Sequence, residues 1–216
     1  MKILIAVPCM DQVPVPFCYS LASLEKPKDA VCTLTMKTGA LIYTSRDAMA
    51  MQAIQNEYDY VFWMDADMQF PTDTLVKLLS TLRNNKLDIV SGLYFRRVPP
   101  YSPVLFDQLE IDGVEATYTE FDHIPDDLFE VGGCGFGCVL MDVGVFLDVQ
   151  GRFEQIFSPI GRNGEDVAFC WRARQCGYQI WCDPSVKCGH VGYSVIDDRF
   201  FRAFSKKEAD NADSKK

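Results

Sequence analysis

The polarity of the chain changes period along its length. Short, wholly apolar runs alternate with stretches in which apolar residues recur every three or four positions. Residues 2–7 form the first such run, closed by Pro8-Cys9-Met10-Asp11, and predict a strand buried on both faces. Residues 17–24 predict a short helix ended by Lys26-Pro27, and residues 30–36, rich in Val and Thr, a second strand. A helix over residues 44–57 follows, with Thr44 or Ser45 as its cap and Ala48, Met49, Met51, Ala53 and Ile54 as its apolar side. Residues 60–64, aromatic and continuous in apolarity, predict a buried strand, and Phe70-Pro71-Thr72-Asp73 opens a helix carried by Leu75, Leu78, Leu79 and Leu82. Residues 88–92 read as another strand. Residues 101–118 read as short antiparallel strands turning at Asp112-Gly113. A helix with an acidic first turn begins at residues 163–166, and residues 178–182 form the strand after it. The segment from Ser205 is charged and poor in apolar residues, so residues 1–204 are expected to form one domain and residues 205–216 a disordered tail.

A chain of 216 residues, 48% hydrophobic and 24% charged, suits one globular domain with a sizeable core. Its formal net charge of -9 argues against a non-specific grip on nucleic acid, which needs a basic face. No apolar run reaches the roughly 18 residues that a membrane helix requires. Residues 1–8 are too short an apolar run for a signal peptide, so a cytoplasmic location is the expectation, in a host's cytoplasm if the chain is phage or viral. The 9 cysteines are odd in number and contain no CxxC pair, which points to small buried hydrophobes in a reducing compartment.

Chemistry enters at Asp65-Ala66-Asp67. Two acids one residue apart stand where a buried strand ends and a helix is about to start, the position at which open α/β sheets bind ligands. Such a pair can hold a hard cation for a diphosphate, or can be a polar loop that satisfies turn amides. Arg46 near a helix start opposes the helix dipole, a local inconsistency that hints at function; the alternative is a solvated surface Arg. Arg96-Arg97 is either a phosphate or acceptor contact or a solvated pair. Residues 131–138 hold four glycines, which allow close approach of backbone to a ligand or mark a bulge; the spacing fits neither a Rossmann nor a Walker motif. Glu165-Asp166 suits either a helix dipole or a catalytic role. His190, between glycines past the last predicted strand, has little packing to do.

Asp65-Ala66-Asp67 after the 60–64 strand resembles the DxD motif of glycosyltransferases with the GT-A fold, especially family-2-like transferases of phage and bacteria. Ser45-Arg46-Asp47, the segment Asp88 to Arg97, the Gly-Gly element and the Glu165-Asp166 helix support the resemblance, which spans residues 1–195. It implies an α/β fold, a single Rossmann-like domain with a mixed central sheet. It implies a nucleotide-diphosphate sugar donor, such as a UDP- or GDP-sugar, and a glycan, protein or small-molecule acceptor. Pro8 and Asp11 would lie against the base, Arg46 would face the nucleotide, and Gly132 and Gly133 would line donor sugar and acceptor. Asp65, beside Ala66, would hold the ribose or a metal-bound water. Asp67 and His190, with Asp65, would serve Mn²⁺ or Mg²⁺, imidazole beside carboxylate favouring Mn²⁺. Asp166 would be the general base of an inverting transfer, with Glu165 supporting it or orienting the acceptor.

Two rivals stay open on the sequence. A nucleotidyltransferase acting on sugar phosphates usually carries a Gly-rich, basic signature after the first strand, where this chain has no basic residue from Pro8 to Pro16. A non-catalytic module for sugar nucleotides or glycans would need no Asp166 base.

Overall fold

The structure is a computed structural model that describes residues 1–39, 41–121, 123–192 and 195–204. The expected tail at residues 205–216 lies outside the described residues. The elements run β1 (Lys2–Cys9), α1 (Val15–Ala22), β2 (Val31–Thr38), α2 (Ile42–Gln55), β3 (Tyr60–Met64), β4 (Met68–Gln69), α3 (Thr74–Asn85) and β5 (Ile89–Leu93). Short strands follow, β6 (Leu105–Phe106), β7 (Gln108–Asp112), β8 (Glu115–Thr119), β9 (Phe129–Val131) and β10 (Gly133–Cys134), then β11 (Cys138–Asp142). The chain continues through α4 (Gly144–Phe153), α5 (Glu165–Gln175), β12 (Ile180–Lys187), β13 (Gly189–Val191) and β14 (Val195–Ile196).

Seven strands make the central sheet in the order β2-β1-β3-β11-β5-β12-β9. β1 runs parallel to β2 and β3, β12 runs parallel to β5, and β11 and β9 run against their neighbours, so the sheet is mixed. The continuous apolarity of β1 and β3 follows from burial on both faces. Leu4, Ala6, Val61 and Trp63 face a core shared with Met49 and Ala53 of α2, Phe146 of α4 and Phe169 of α5. Ile3, Ile5, Val7, Phe62 and Met64 face the other way, onto Phe17 of α1 and Leu75, Leu78 and Leu82 of α3. A residue-by-residue alternation thus serves two cores at once.

Three local expectations differ from the fold. α2 starts at Ile42 with Leu41 as its N-cap, so Thr44 and Ser45 sit inside the helix; the Thr44 hydroxyl donates back to the Leu41 carbonyl at 2.7 Å. Residues 138–153 form the reversed strand β11 and α4, elements the periodicity did not single out. Gly144 and Gly151 lower the helix propensity of α4, and its buried side (Val145, Phe146, Val149) holds it to the core instead. His190 lies within a strand, not beyond the last one. The nine cysteines are free thiols, and Cys134, Cys138, Cys170, Cys182 and Cys188 are buried.

Candidate functional site

β3 ends at Met64, and the backbone turns at once: the Met68 N–H donates to the Asp65 carbonyl at 3.2 Å. This turn sets Asp65, Ala66 and Asp67 at the carboxyl mouth of the parallel strands, in a cleft of about 590 Å³. Pro8, Cys9 and Met10 after β1 form one wall, with Ile42 and Ser45 of α2. Tyr94, Arg97, Asp166 and His190 also line the cleft.

His190 reaches Asp67 through sheet pairing. β13 pairs with β4, setting His190 opposite Met68, and the Val191 N–H donates to the Asp67 carbonyl at 2.7 Å. The His190 Nδ1 lies 2.9 Å from the Phe95 carbonyl. A carbonyl only accepts, so Nδ1 carries the proton. Nε2 then faces Asp67 Oδ2 at 3.4 Å, and a proton or a cation can bridge them. Metal-binding imidazoles are held by the same kind of outer hydrogen bond, and an imidazole–carboxylate pair suits Mn²⁺. This pair offers two of the ligands a divalent cation takes. The expected set of three ligands is not gathered, however: among the described residues no three His, Cys, Asp or Glu side chains cluster closely enough to hold a metal ion. Asp65 Oδ1 accepts instead from Arg46 Nη2 at 2.7 Å.

Arg46 is neither solvated nor among the residues that line the cleft. It is 1% exposed. Its Nε donates to Glu165 Oε1 at 3.1 Å, and its guanidinium carbon lies 5.5 Å from the Trp63 ring centre and 5.2 Å from that of Phe136. Burial works against its charge, but Asp65, Glu165 and Asp166 outweigh it and raise its pKa further. Arg46 thus stands beneath the cleft and clamps the turn at Asp65 to the start of α5. Glu165, also buried and outside the cleft lining, is its second anchor.

Asp166 opens into the cleft from the first turn of α5, its Oδ1 accepting the Val167 N–H at 2.8 Å. Burial, then the charge of Glu165, pushes its carboxyl above the usual aspartate range. Burial likewise raises Asp65, with Asp67 and Glu165 adding to the effect against the pull of Arg46. Asp67 goes the other way. Burial would raise it, but His190 and Arg97 together hold it below the ordinary value.

Several expected positions lie elsewhere. Asp11 is exposed and is not among the residues lining the cleft, whereas Pro8 is. Gly132 and Gly133 do not reach the cleft. A Cβ on Gly132 would sit 2.8 Å from the Asp107 carbonyl oxygen, and one on Gly133 would sit 2.9 Å from the Leu109 side chain. Their smallness serves packing under β6 and β7. The glycine that touches the site is Gly137, whose carbonyl accepts from the Asp65 N–H at 3.3 Å and whose N–H donates to the Tyr94 hydroxyl at 3.1 Å. A Cβ there would lie 2.8 Å from the Tyr94 ring. Tyr94 itself gave no sequence signal. Arg97 did, as half of a basic pair just past the carboxyl end of a strand.

No protein-family profile matches the chain, and no curated protein sequence matches it significantly. Solved structures do. The crystal structure of A197 from STIV superposes with a TM-score of 0.62 and 18% identity, over 89% of this chain and 86% of its own. The crystal structure of GalNAc-T7 with UDP, GalNAc and Mn²⁺ superposes with a TM-score of 0.62 and 9% identity, over 89% of this chain and 44% of that one. Identities this low carry the fold and not the activity; the fold is the GT-A fold.

Proposed function

We propose that the chain is a glycosyltransferase that moves a sugar from a nucleotide-diphosphate donor to an acceptor hydroxyl with the help of a divalent cation. One observation carries the reading: β-sheet pairing brings His190 against Asp67 in the cleft that Asp166 enters from α5. A metal-binding pair beside a separate carboxylate is what a transfer needs and a binding module does not. The GT-A neighbour crystallised with UDP, GalNAc and Mn²⁺ supports the donor class and the metal.

Asp67 and His190 would hold Mn²⁺ or Mg²⁺, with diphosphate oxygens and water as the remaining ligands. The cation would offset diphosphate charge and favour departure of the nucleotide. Asp65, fixed by Arg46, would receive the ribose or a metal-bound water. Pro8 and its neighbours would meet the base side of a UDP- or GDP-sugar. Asp166 would take the proton from the acceptor hydroxyl of a glycan, protein or small molecule. Direct attack of that oxygen on the anomeric carbon would invert its configuration. Glu165 and Arg46 position these groups without touching the substrate.

Release of UDP or GDP from a panel of sugar nucleotides, with and without Mn²⁺, tests the reading. The expected result is metal-dependent release that an acceptor accelerates; a panel without any turnover or binding counts against it. Asp67→Ala should abolish Mn²⁺-dependent UDP or GDP binding in calorimetry and move the melting temperature by less than about 2 °C, since Asp67 is outside the cores. Unchanged nucleotide affinity would remove the metal assignment. His190→Ala should weaken Mn²⁺ binding less than Asp67→Ala does, because carboxylate and diphosphate oxygens remain.

A further inference from the structure

Arg97 Nη1 lies 3.0 Å from Asp67 Oδ2, the same oxygen that faces His190 Nε2 at 3.4 Å. Among the described residues that line the cleft, it is the only Lys or Arg. Three carboxylates line that cleft with it, Asp65, Asp67 and Asp166. A sugar-nucleotide diphosphate adds about two negative charges, and a divalent cation brings only two positive ones. These cancel, so the cleft carboxylates leave a surplus of negative charge around the phosphates; Arg46 is already shared by Asp65 and Glu165, which leaves Arg97 as the cation at hand.

We propose that Arg97 is that cation, a diphosphate-binding residue that neutralises Asp67 in the free protein and exchanges it for the donor's diphosphate when a metal takes Asp67. This rests on the transferase reading above. A guanidinium and a divalent cation repel each other too strongly to share one carboxylate oxygen. Arg97 has room to leave: its side chain is 49% exposed, and among the described residues its other polar contact is a 3.4 Å hydrogen bond to the Val191 carbonyl. A guanidinium also matches phosphate geometry better than an ammonium does. The adjacent Arg96 offers a control. It pairs with Glu120 at 3.1 Å and is not among the residues that line the cleft.

The proposal predicts effects of opposite sign from one substitution. In Arg97→Gln, Mn²⁺ alone, counted by its electron paramagnetic resonance signal, should bind several-fold tighter than in wild type, because no guanidinium competes for Asp67. With Mn²⁺ saturating, UDP and GDP should bind about tenfold weaker, the loss of one charged hydrogen-bonding partner. The coupling between metal and nucleotide therefore shrinks. Arg97→Lys should restore part of both effects, and Arg96→Gln should show neither. A merely structural Arg97 would lower the melting temperature and leave the two affinities unchanged or shifted together; either result overturns the proposal. If wild type binds UDP or GDP with Mn²⁺ and Arg97→Gln matches it, this inference alone fails. If wild type binds no nucleotide with Mn²⁺, the transferase reading fails and takes the inference with it.

Discussion

Asp166→Asn should lower turnover by about 10² to 10⁴ while nucleotide affinity stays near wild type. The amide keeps the size of the carboxylate and its contact with the Val167 N–H, so the side chain stays where the structure puts it. What disappears is the proton acceptor. Gly164 helps aim that group: a Cβ there would lie 2.8 Å from Asp166 Oδ1. The raised pKa of Asp166, from burial and then Glu165, fixes the pH dependence. Turnover should fall on the acid side with an apparent pKa above that of an ordinary aspartate, and the variant should lose this limb. Stability follows the same sign. A carboxyl whose folded pKa lies above its unfolded value stabilises the protein below the unfolded pKa and loses that contribution as pH rises through the folded pKa. The ionised group is thus a cost at neutral pH, and the variant should melt no lower than wild type there. Retained transfer would mean another base or a retaining mechanism. Lost nucleotide affinity would place Asp166 on the donor side.

Arg46→Met should be the most destabilising change in the site, by about 3–5 kcal/mol, because it leaves Asp65 and Glu165 facing each other without their buried cation. At roughly 2–4 °C per kcal/mol for a chain of this size, the melting temperature should fall on the order of 10 °C. Arg46 is what pulls the Asp65 carboxyl down against its burial, so without it that carboxyl rises further, and the deficit should shrink as the pH is lowered and Asp65 takes up a proton. Adding Asp65→Asn and Glu165→Gln should recover much of the loss, since removing a whole buried charge cluster costs less than removing one member. Thermal melts of the single and triple variants at neutral and mildly acidic pH measure this. A single variant as stable as wild type would mean that water or local relaxation already compensates the acids.

Much of the fold was legible in the chain because its signals are local. The apolar runs of β1, β3 and β5, the leucine spacing of α3 and the Asp112-Gly113 turn each depend on residues a few positions apart. The GT-A arrangement expected from the resemblance agrees with the mixed sheet observed. β11 and α4 were not legible. A reversed strand reads like any apolar run, and α4 is held by the aromatic contacts of Phe146 with Trp63, Phe157 and Phe169 more than by its own propensity.

The candidate site divides the same way. Sequence alone determined that Asp65 and Asp67 follow a buried strand and that Glu165 and Asp166 open a helix, since strand ends and helix starts are local facts. Only the tertiary structure decided what each acid meets. The pairing of β13 with β4 gave His190 to Asp67, and the segment after β5 brought Arg97 to the same carboxylate. Packing of α2 against β1 and β3 buried Arg46, and that buried charge drew in Asp65 from 19 positions away and Glu165 from 119. It also decided that Gly132 and Gly133 serve packing while Gly137 serves the site. The reason is physical: a charge taken out of water must find its partner in space, and the partners here are brought together by sheet register and core packing across distances that no local pattern encodes.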